Sequence, residues 1–136
     1  LLDRLAKAGA KIMDPVPQKA LADVFRTATA LLMPNSYPEI CSNILLQAQA
    51  CGLPVIATDI GSASEFIKHG DTGMLTMRGP ADLWWWHKDF AKQCAAIYFD
   101  AELRDRIYRL APLDVPSWDE IGEQWEKMLS RSAVAA

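Results

Sequence analysis

Residues 34–73 read PNSYPEICSNILLQAQACGLPVIATDIGSASEFIKHGDTG. An acidic loop containing Glu39 leads into a helix, Gly52-Leu53-Pro54 closes it, and a short apolar strand follows. A Gly61-Ser62 turn comes next, with Glu65 behind it. This order sets a carboxylate, unpaired backbone N–H groups and a helix N-terminus at one end of a sheet. Anionic, hydroxyl-rich ligands are commonly held in such a place.

Upstream, a helix is expected to end at Gly9, and Lys11–Val16 reads as a strand stopped by Pro15 and Pro17. Lys19–Thr27 has Leu21, Val24, Phe25 and Ala28 at helical spacing. Ala30–Met33 is an unbroken apolar run, too short for a helix and ended by Pro34-Asn35, so it is expected to be a strand buried on both faces. Ser42–Cys51 is the next helix, with Ile44, Leu45, Ala48 and Cys51 inward and Gly52 at its C-terminus. Pro54–Thr58 is a buried strand, Ala63–Lys68 a short helix ended by Gly70, and Gly73–Met77 a last short strand. Strand and helix alternate, the pattern of an α/β fold with a parallel sheet and right-handed crossovers. Beyond Pro80 helices are expected over Ala81–Phe99, Glu102–Leu110 and Trp118–Leu129, before a fraying tail SRSAVAA.

The 136 residues, 51% hydrophobic and 23% charged, are enough for one domain with a real core. A net charge of only −3 gives no footprint for a nucleic-acid partner. No apolar run approaches the roughly 18 residues that a membrane-spanning helix requires, and no signal peptide is visible. Cys41, Cys51 and Cys94 are odd in number and not spaced as metal ligands, which suggests a reducing compartment with mostly buried thiols. No motif calls for a metal or a cofactor. The chain opens on LLDRLAKAG, the end of a helix with Leu1 in first place, and is expected to be a piece of a longer protein.

In a parallel α/β sheet, ligands sit outside the carboxyl ends of the strands. Met33 leads into Asn35–Asn43, and Thr58 into Asp59–Ser64; both loops hand over to helix N-termini that favour phosphate. Glu39 therefore either complements the helix dipole alone, or accepts hydrogen bonds from sugar hydroxyls while the backbone takes a phosphate.

Between these readings a family resemblance decides. Members of the retaining glycosyltransferases of the GT-B fold, glycosyltransferase family 4, read approximately Pro-Ser-x-x-Glu, seven residues, Glu-Ala-x-Ala-x-Gly-x-Pro-Val-Ile-Ala-Thr-Asp-x-Gly-Gly, then Glu and a Gly-x-x-Gly strand start. This chain resembles them in PNSYPE (34–39), QAQACGLPVIATDIGS (47–62), Glu65 and GDTG (70–73), and more weakly around Asp82, in DAELRDRI (100–107) and in SWDEI. The resemblance implies a Rossmann-like parallel sheet with flanking helices, the incomplete C-terminal half of a GT-B fold. Residues 1–111 would be the partial donor-binding domain and 112–136 the C-terminal helix and tail, with the N-terminal acceptor domain absent.

The resemblance also implies roles. Glu39 matches the first acid of the family's E-x7-E pair, which contacts the transferred sugar near the reacting centre, and is the implied catalytic residue. The backbone N–H groups of Ile40, Cys41, Ser42 and Asn43 match the loop that holds sugar hydroxyls and diphosphate. Gln47 stands where the family has its second Glu, which grips the ribose of the nucleotide. Ser62 replaces the second Gly of the Gly-Gly turn. A carboxylate accepts from both ribose hydroxyls, whereas an amide has one acceptor oxygen, so Gln47 is expected to weaken donor binding without abolishing it. The family's Gly-rich loop and the basic residues that neutralise the leaving diphosphate belong upstream of Leu1, and Lys7, Lys11 and Lys19 are too early to match them. Retaining transfer needs that charge stabilisation, so the piece alone is expected to be inactive.

Two side features stand outside this pattern. Trp84, Trp85 and Trp86 span about 200° of a helix surface, so at least one is expected to be exposed or covered by something absent, with sheet packing, the missing domain, a membrane surface or sugar stacking left open. Trp118 and Trp125 share a helix face and are expected to pack, His69 and His87 to be surface or packing residues, and Glu102, Arg104, Asp105 and Arg106 to be a solvated face.

The leading expectation is therefore a fragment of a retaining glycosyltransferase that takes a nucleoside-diphosphate sugar and transfers the sugar to an acceptor hydroxyl. The acceptor, a sugar or a lipid-linked one, would come through the missing domain. The protein would be cytoplasmic, with peripheral membrane association left open. The alternative is a non-catalytic nucleotide-sugar-binding or regulatory domain of the same fold, in which Gln47 has cost catalysis. A receiver-type signalling domain is disfavoured, because no acidic cluster or phospho-acceptor Asp stands at the early strand ends.

Overall fold

In the computed structural model, which describes residues 2–77 and 84–134, three strands form a parallel sheet in the order β1 (Leu31–Met33), β2 (Val55–Thr58), β3 (Met74–Thr76). Leu31 pairs with Val55 and Met33 with Ala57; Ile56 pairs with Met74 and Thr58 with Thr76. Parallel neighbours cannot be joined by a hairpin, and helices make the crossovers. Helix α3 (Asn43–Ala50) links β1 to β2, and the single-turn α4 (Ala63–Phe66) links β2 to β3.

Alternation along β2 builds two core layers. Val55 and Ala57 point to the face covered by α2 (Gln18–Thr27) and α3, where they join Phe25, Met33, Leu45, Ala48, Leu53 and Ile67. Ile56 points to the other face, where Ile97 of α5 (Trp84–Phe99), Ile107 of α6 (Ala101–Leu110) and Ala111 of a following 3-10 turn (Ala111–Asp114) close over it with Met74. Each of the fully buried side chains of Ile56, Ile97 and Ile107 contributes about 1.5–3 kcal/mol. The sheet is thus the middle of three layers, and its central strand is buried along its whole length.

The flanks differ from the sequence expectations. Leu32 is 52% exposed, so β1 is not buried on both faces. Its partner in register is Ile56, on the face covered by α5 and α6, and those helices stop short of the edge. Lys11–Val16 forms no strand: Ile12, Met13 and Val16 are exposed, and among the described residues no strand pairs with β1 on the side away from β2. The preceding α1 (Leu2–Lys7) buries no residue.

Helix α3 ends as its glycine demands. The N–H of Leu53 donates to Ala48 O at 2.9 Å and that of Gly52 to Gln49 O at 2.8 Å, with Gly52 at φ 77°, a Schellman closure. Leu45 and Ala48 are inward as expected, whereas Ile44 is exposed and Gln49 takes an interior place. Of the tryptophans on α5, Trp84 is exposed over the Lys88 ammonium, 5.2 Å from its ring, Trp85 is half-buried, and Trp86 is buried beside Phe90. Residues 81–83 of that expected helix, with Asp82, lie outside the described residues.

Helix α7 (Trp118–Val134) continues past Leu129 into the tail that was expected to fray, whose last two residues lie outside the described ones. Trp118 and Trp125 do not pack: they are 85% and 59% exposed, and of residues 118–130 only Ile121 is half-buried. Nor are the cysteines buried: Cys41 is exposed, Cys51 and Cys94 half-buried. Arg104 and Arg106 are more than a solvated face. Arg104 donates to the carbonyls of Ile97 and Tyr98, and Arg106 to Gly70 O through Nε (2.9 Å) and Nη2 (2.6 Å). The Arg104 bonds join α6 to the end of α5, and those of Arg106, with the Lys68–Asp114 ion pair, tie the turn before β3 to the α6 layer.

Candidate functional site at the carboxyl ends of the strands

Two loops leave the carboxyl ends of β1 and β2, and they touch through their backbones. The Glu39 carbonyl accepts from the N–H of Ser62 at 2.9 Å and from its hydroxyl at 3.1 Å. Gly61 sits against the same peptide at φ 62°; a Cβ there would lie 2.3 Å from Glu39 O and 2.7 Å from Glu39 N. Only glycine fits, both for the left-handed backbone and for the approach. Ser62 stands where the resembling family has the second Gly of the turn. Here the side chain is buried and turned back onto the Glu39 loop.

Glu39 itself is half-buried, and the Tyr37 hydroxyl lies 3.3 Å from its Oε1 as a donor. Ile40 is 94% exposed and Cys41 exposed, so their side chains do not line a core. Ser42 is buried in the N-cap position of α3, its carbonyl accepting from Leu46 N at 3.2 Å, and its hydroxyl makes no capping bond. Asn43 is the exposed first residue of the helix. The first-turn N–H groups of α3 have no acceptor within the helix, and they face the same end of the sheet as Glu39 with the positive end of the dipole. The second helix start expected to favour phosphate does not match α3: α4 is a single turn of four residues, with Glu65 in it.

Beneath the Glu39 loop is a cavity of about 20 Å³ bordered by Asn35, Glu39, Ser42, Thr58 and Ser62, room for about one water. Thr58 is 2% exposed, and its Oγ1 has no hydrogen-bond partner among the described residues. No Lys or Arg borders the cavity among the described residues.

Gln47 borders a different hollow, of about 190 Å³, between α2 and α3 with Gln18, Leu21, Ala22 and Phe25. The structure thus brings Glu39, Ser42 and the α3 N-terminus together, and leaves Gln47 one helical turn along α3 in a groove of its own. Sequence reasoning gave no role to Thr58, Tyr37 or Gly61. The Gly61-Ser62 turn was the signal available for the clamp. Nothing in the sequence marks Thr58 as facing a cavity.

Among the described residues no three His, Cys, Asp or Glu side chains could hold a metal, and no helix is long and apolar enough to cross a membrane. His69 is exposed and its Nδ1 accepts from Leu75 N at 3.0 Å, a structural bond. Burial pushes the Cys94 thiol up, which disfavours the reactive thiolate.

The protein-family model described as "Glycosyl transferases group 1" matches residues 1–97. The chain is 35% identical over 101 residues to the D-inositol 3-phosphate glycosyltransferase of Kribbella flavida, covering 74% of this chain and 22% of that protein. It is 36% identical over 105 residues to the protein of that name from Paenarthrobacter aurescens, covering 76% and 24%. The chain therefore spans about a quarter of the length of these curated relatives. Among solved structures, sucrose-phosphate synthase from Thermosynechococcus elongatus superposes with a TM-score of 0.76 at 20% identity, covering 93% of this chain and 31% of that one. Anabaena Alr3699/HepE, crystallised with UDP and glucose, superposes at 0.67 and 22% identity, covering 79% and 29%. At these identities the superpositions show a shared fold, the Rossmann-like parallel sheet with flanking helices of GT-B glycosyltransferases. With most of its length matched by the family model, and with the parallel sheet its members share, the chain belongs to the group 1 glycosyl transferases.

Proposed function

We propose that this chain supplies the donor side of a glycosyltransferase that moves a sugar from a nucleoside diphosphate to an acceptor hydroxyl with retention of configuration. The observation that carries the reading is the Glu39 loop, clamped by Ser62 beside the N-terminus of α3. In this reading the first-turn N–H groups of α3 and of the 40–43 loop take the diphosphate, where the helix dipole favours negative charge. The Glu39 carboxylate accepts hydrogen bonds from the sugar hydroxyls and stands near the reacting carbon. Gln47 lies on the ribose side. No basic side chain borders the Glu39 cavity among the described residues, so in this reading the groups that neutralise the leaving diphosphate lie outside that border. The relatives named for D-inositol 3-phosphate make that compound the first acceptor to try, and the neighbour crystallised with UDP and glucose makes UDP-glucose the first donor.

The second reading, a nucleotide-sugar-binding module without catalysis, is favoured by one observation only, the amide at Gln47 in place of the family's carboxylate. Calorimetry of the full-length protein against uridine-, guanosine- and adenosine-diphosphate sugars tests both readings. Binding to one of them supports the donor site, and sugar transfer to an acceptor then separates enzyme from module. No binding to any donor at millimolar concentration would sink both.

A further inference from the structure

We propose that Ser62 is the positioning residue of this site, holding the Glu39 carbonyl with two bonds and thereby fixing the Glu39–Ile40 peptide plane. The consequence for a ligand rests on the donor-site reading above; the clamp itself does not. A carbonyl oxygen has two lone pairs, and Ser62 engages the Glu39 oxygen twice, at 2.9 Å through N–H and at 3.1 Å through Oγ. Ser62 is 5% exposed, so water does not compete for these bonds.

The geometry of the peptide carries the effect outward. The Glu39 C=O and the Ile40 N–H belong to one planar trans unit and point in opposite directions. With the C=O turned inward onto Ser62, the Ile40 N–H is aimed away from the 59–62 loop, and the Glu39 side chain leaves the backbone from a fixed base. Little else holds this stretch: the Ile40 side chain is 94% exposed and that of Cys41 is exposed. On the other side, Gly61 approaches the Glu39 backbone so closely that a Cβ there would clash with it. A glycine at position 62, as the resembling family has, would give the N–H bond alone. The hydroxyl bond is this chain's addition, and the ligand atom it serves is an oxygen, of a sugar hydroxyl or a phosphate, set against the Ile40 N–H.

The test uses the full-length protein with Ser62→Ala and Ser62→Gly, which keep the N–H and lose the hydroxyl, and Ser62→Thr, which keeps both. Millisecond hydrogen–deuterium exchange is followed at residues 40–43 and along β2. Loss of the hydroxyl is expected to speed exchange at 40–43 about 5-fold, with β2 unchanged and the wild-type rate restored by threonine. Unchanged exchange at 40–43, or an equal rise throughout the sheet, overturns the proposal; two hydroxyl-free variants guard against one failing to fold.

A second arm measures UDP-glucose affinity in the wild-type and Glu39→Gln backgrounds. Ser62→Ala is expected to weaken binding about 3- to 10-fold in the first and less in the second. An equal loss in both backgrounds, or no loss despite faster loop exchange, overturns the positioning role. If Glu39→Gln leaves affinity unchanged, or none of the uridine-, guanosine- and adenosine-diphosphate sugars binds, the donor-site reading is what fails, and the exchange arm still judges the clamp; if UDP-glucose alone does not bind, the sugar nucleotide that calorimetry selects takes its place in this arm.

Discussion

The side-chain amide of Gln49 on α3 donates to the carbonyl of Phe66 at 2.8 Å from a position only 1% exposed. The same nitrogen reaches Thr72 O at 3.3 Å. One interior amide therefore pins both ends of the segment between α4 and β3, whose outer side is held by Arg106 and Lys68. Replacing it by Leu keeps the bulk and leaves those two carbonyls without this donor. A buried acceptor so orphaned costs about 1–3 kcal/mol. We expect Gln49→Leu to lower the urea midpoint accordingly; a loss below about 0.5 kcal/mol would mean that the segment finds other donors.

Thr58 presents the opposite case. Its hydroxyl is buried without a partner, at the border of a cavity about one water in size. Exchanging an unsatisfied hydroxyl for a methyl group of the same shape is expected to be neutral or stabilising, so Thr58→Val should keep or raise the melting temperature. Thr58→Ser, which removes the methyl and keeps the hydroxyl, should cost about 1 kcal/mol. If Val is the more damaging of the two, a water in the cavity already satisfies the hydroxyl.

Gln47→Glu bears on the donor reading. A carboxylate facing ribose hydroxyls accepts charge-assisted bonds roughly twice as strong as neutral ones. Donor affinity is expected to tighten by about 1–2 kcal/mol, read by calorimetry on the full-length protein. Unchanged or weaker binding would show that the α2–α3 hollow bordered by Gln47 does not receive the ribose.

At the start of α7, Ser117 and Glu120 form a capping box: Ser117 N donates to Glu120 Oε2 at 2.7 Å, and Glu120 N to Ser117 Oγ at 3.2 Å. The Ser117 N–H first, and the Ser117 hydroxyl donating to Glu120 Oε2 at 2.8 Å second, hold the Glu120 carboxyl below its ordinary 4.5. A depressed carboxyl stabilises fully above its unfolded value, and the contribution is lost as pH falls through the lower folded value. Helicity of α7 should therefore weaken below about pH 4.5 in the wild type. Glu120→Ala should lack that step when the two acid titrations are followed by circular dichroism, and identical curves would remove the box from the account.

Much of the fold was legible because it is written in local pattern. The apolar run at Val55–Thr58, Gly52 after α3 and the strand–helix alternation each rest on a few neighbouring residues, and each element appears within a few residues of its expected place. Glu39 and the 40–43 loop were legible in the same way, as a carboxylate just ahead of a helix. The errors share another cause. Lys11–Val16 has strand composition, yet a strand is made by its partner, and β1 is the edge among the described residues. Leu32 reads as core and is exposed, because coverage depends on how far α5 and α6 reach across the sheet. Trp118 and Trp125 share a face as spacing requires, while what that face meets is a tertiary matter.

By itself the sequence determined the class of fold and the family, and it placed Glu39 and its loop at the carboxyl end of the sheet. Glycine, proline and apolar periodicity act through local sterics and burial. Only the tertiary structure decided that Ser62 holds the Glu39 carbonyl, that Gln49 is an interior clamp and that Gln47 borders a separate hollow. Each of these depends on the distance between loops or helices far apart in the chain. Hydrogen bonds act over about 3 Å, and no local pattern carries that distance.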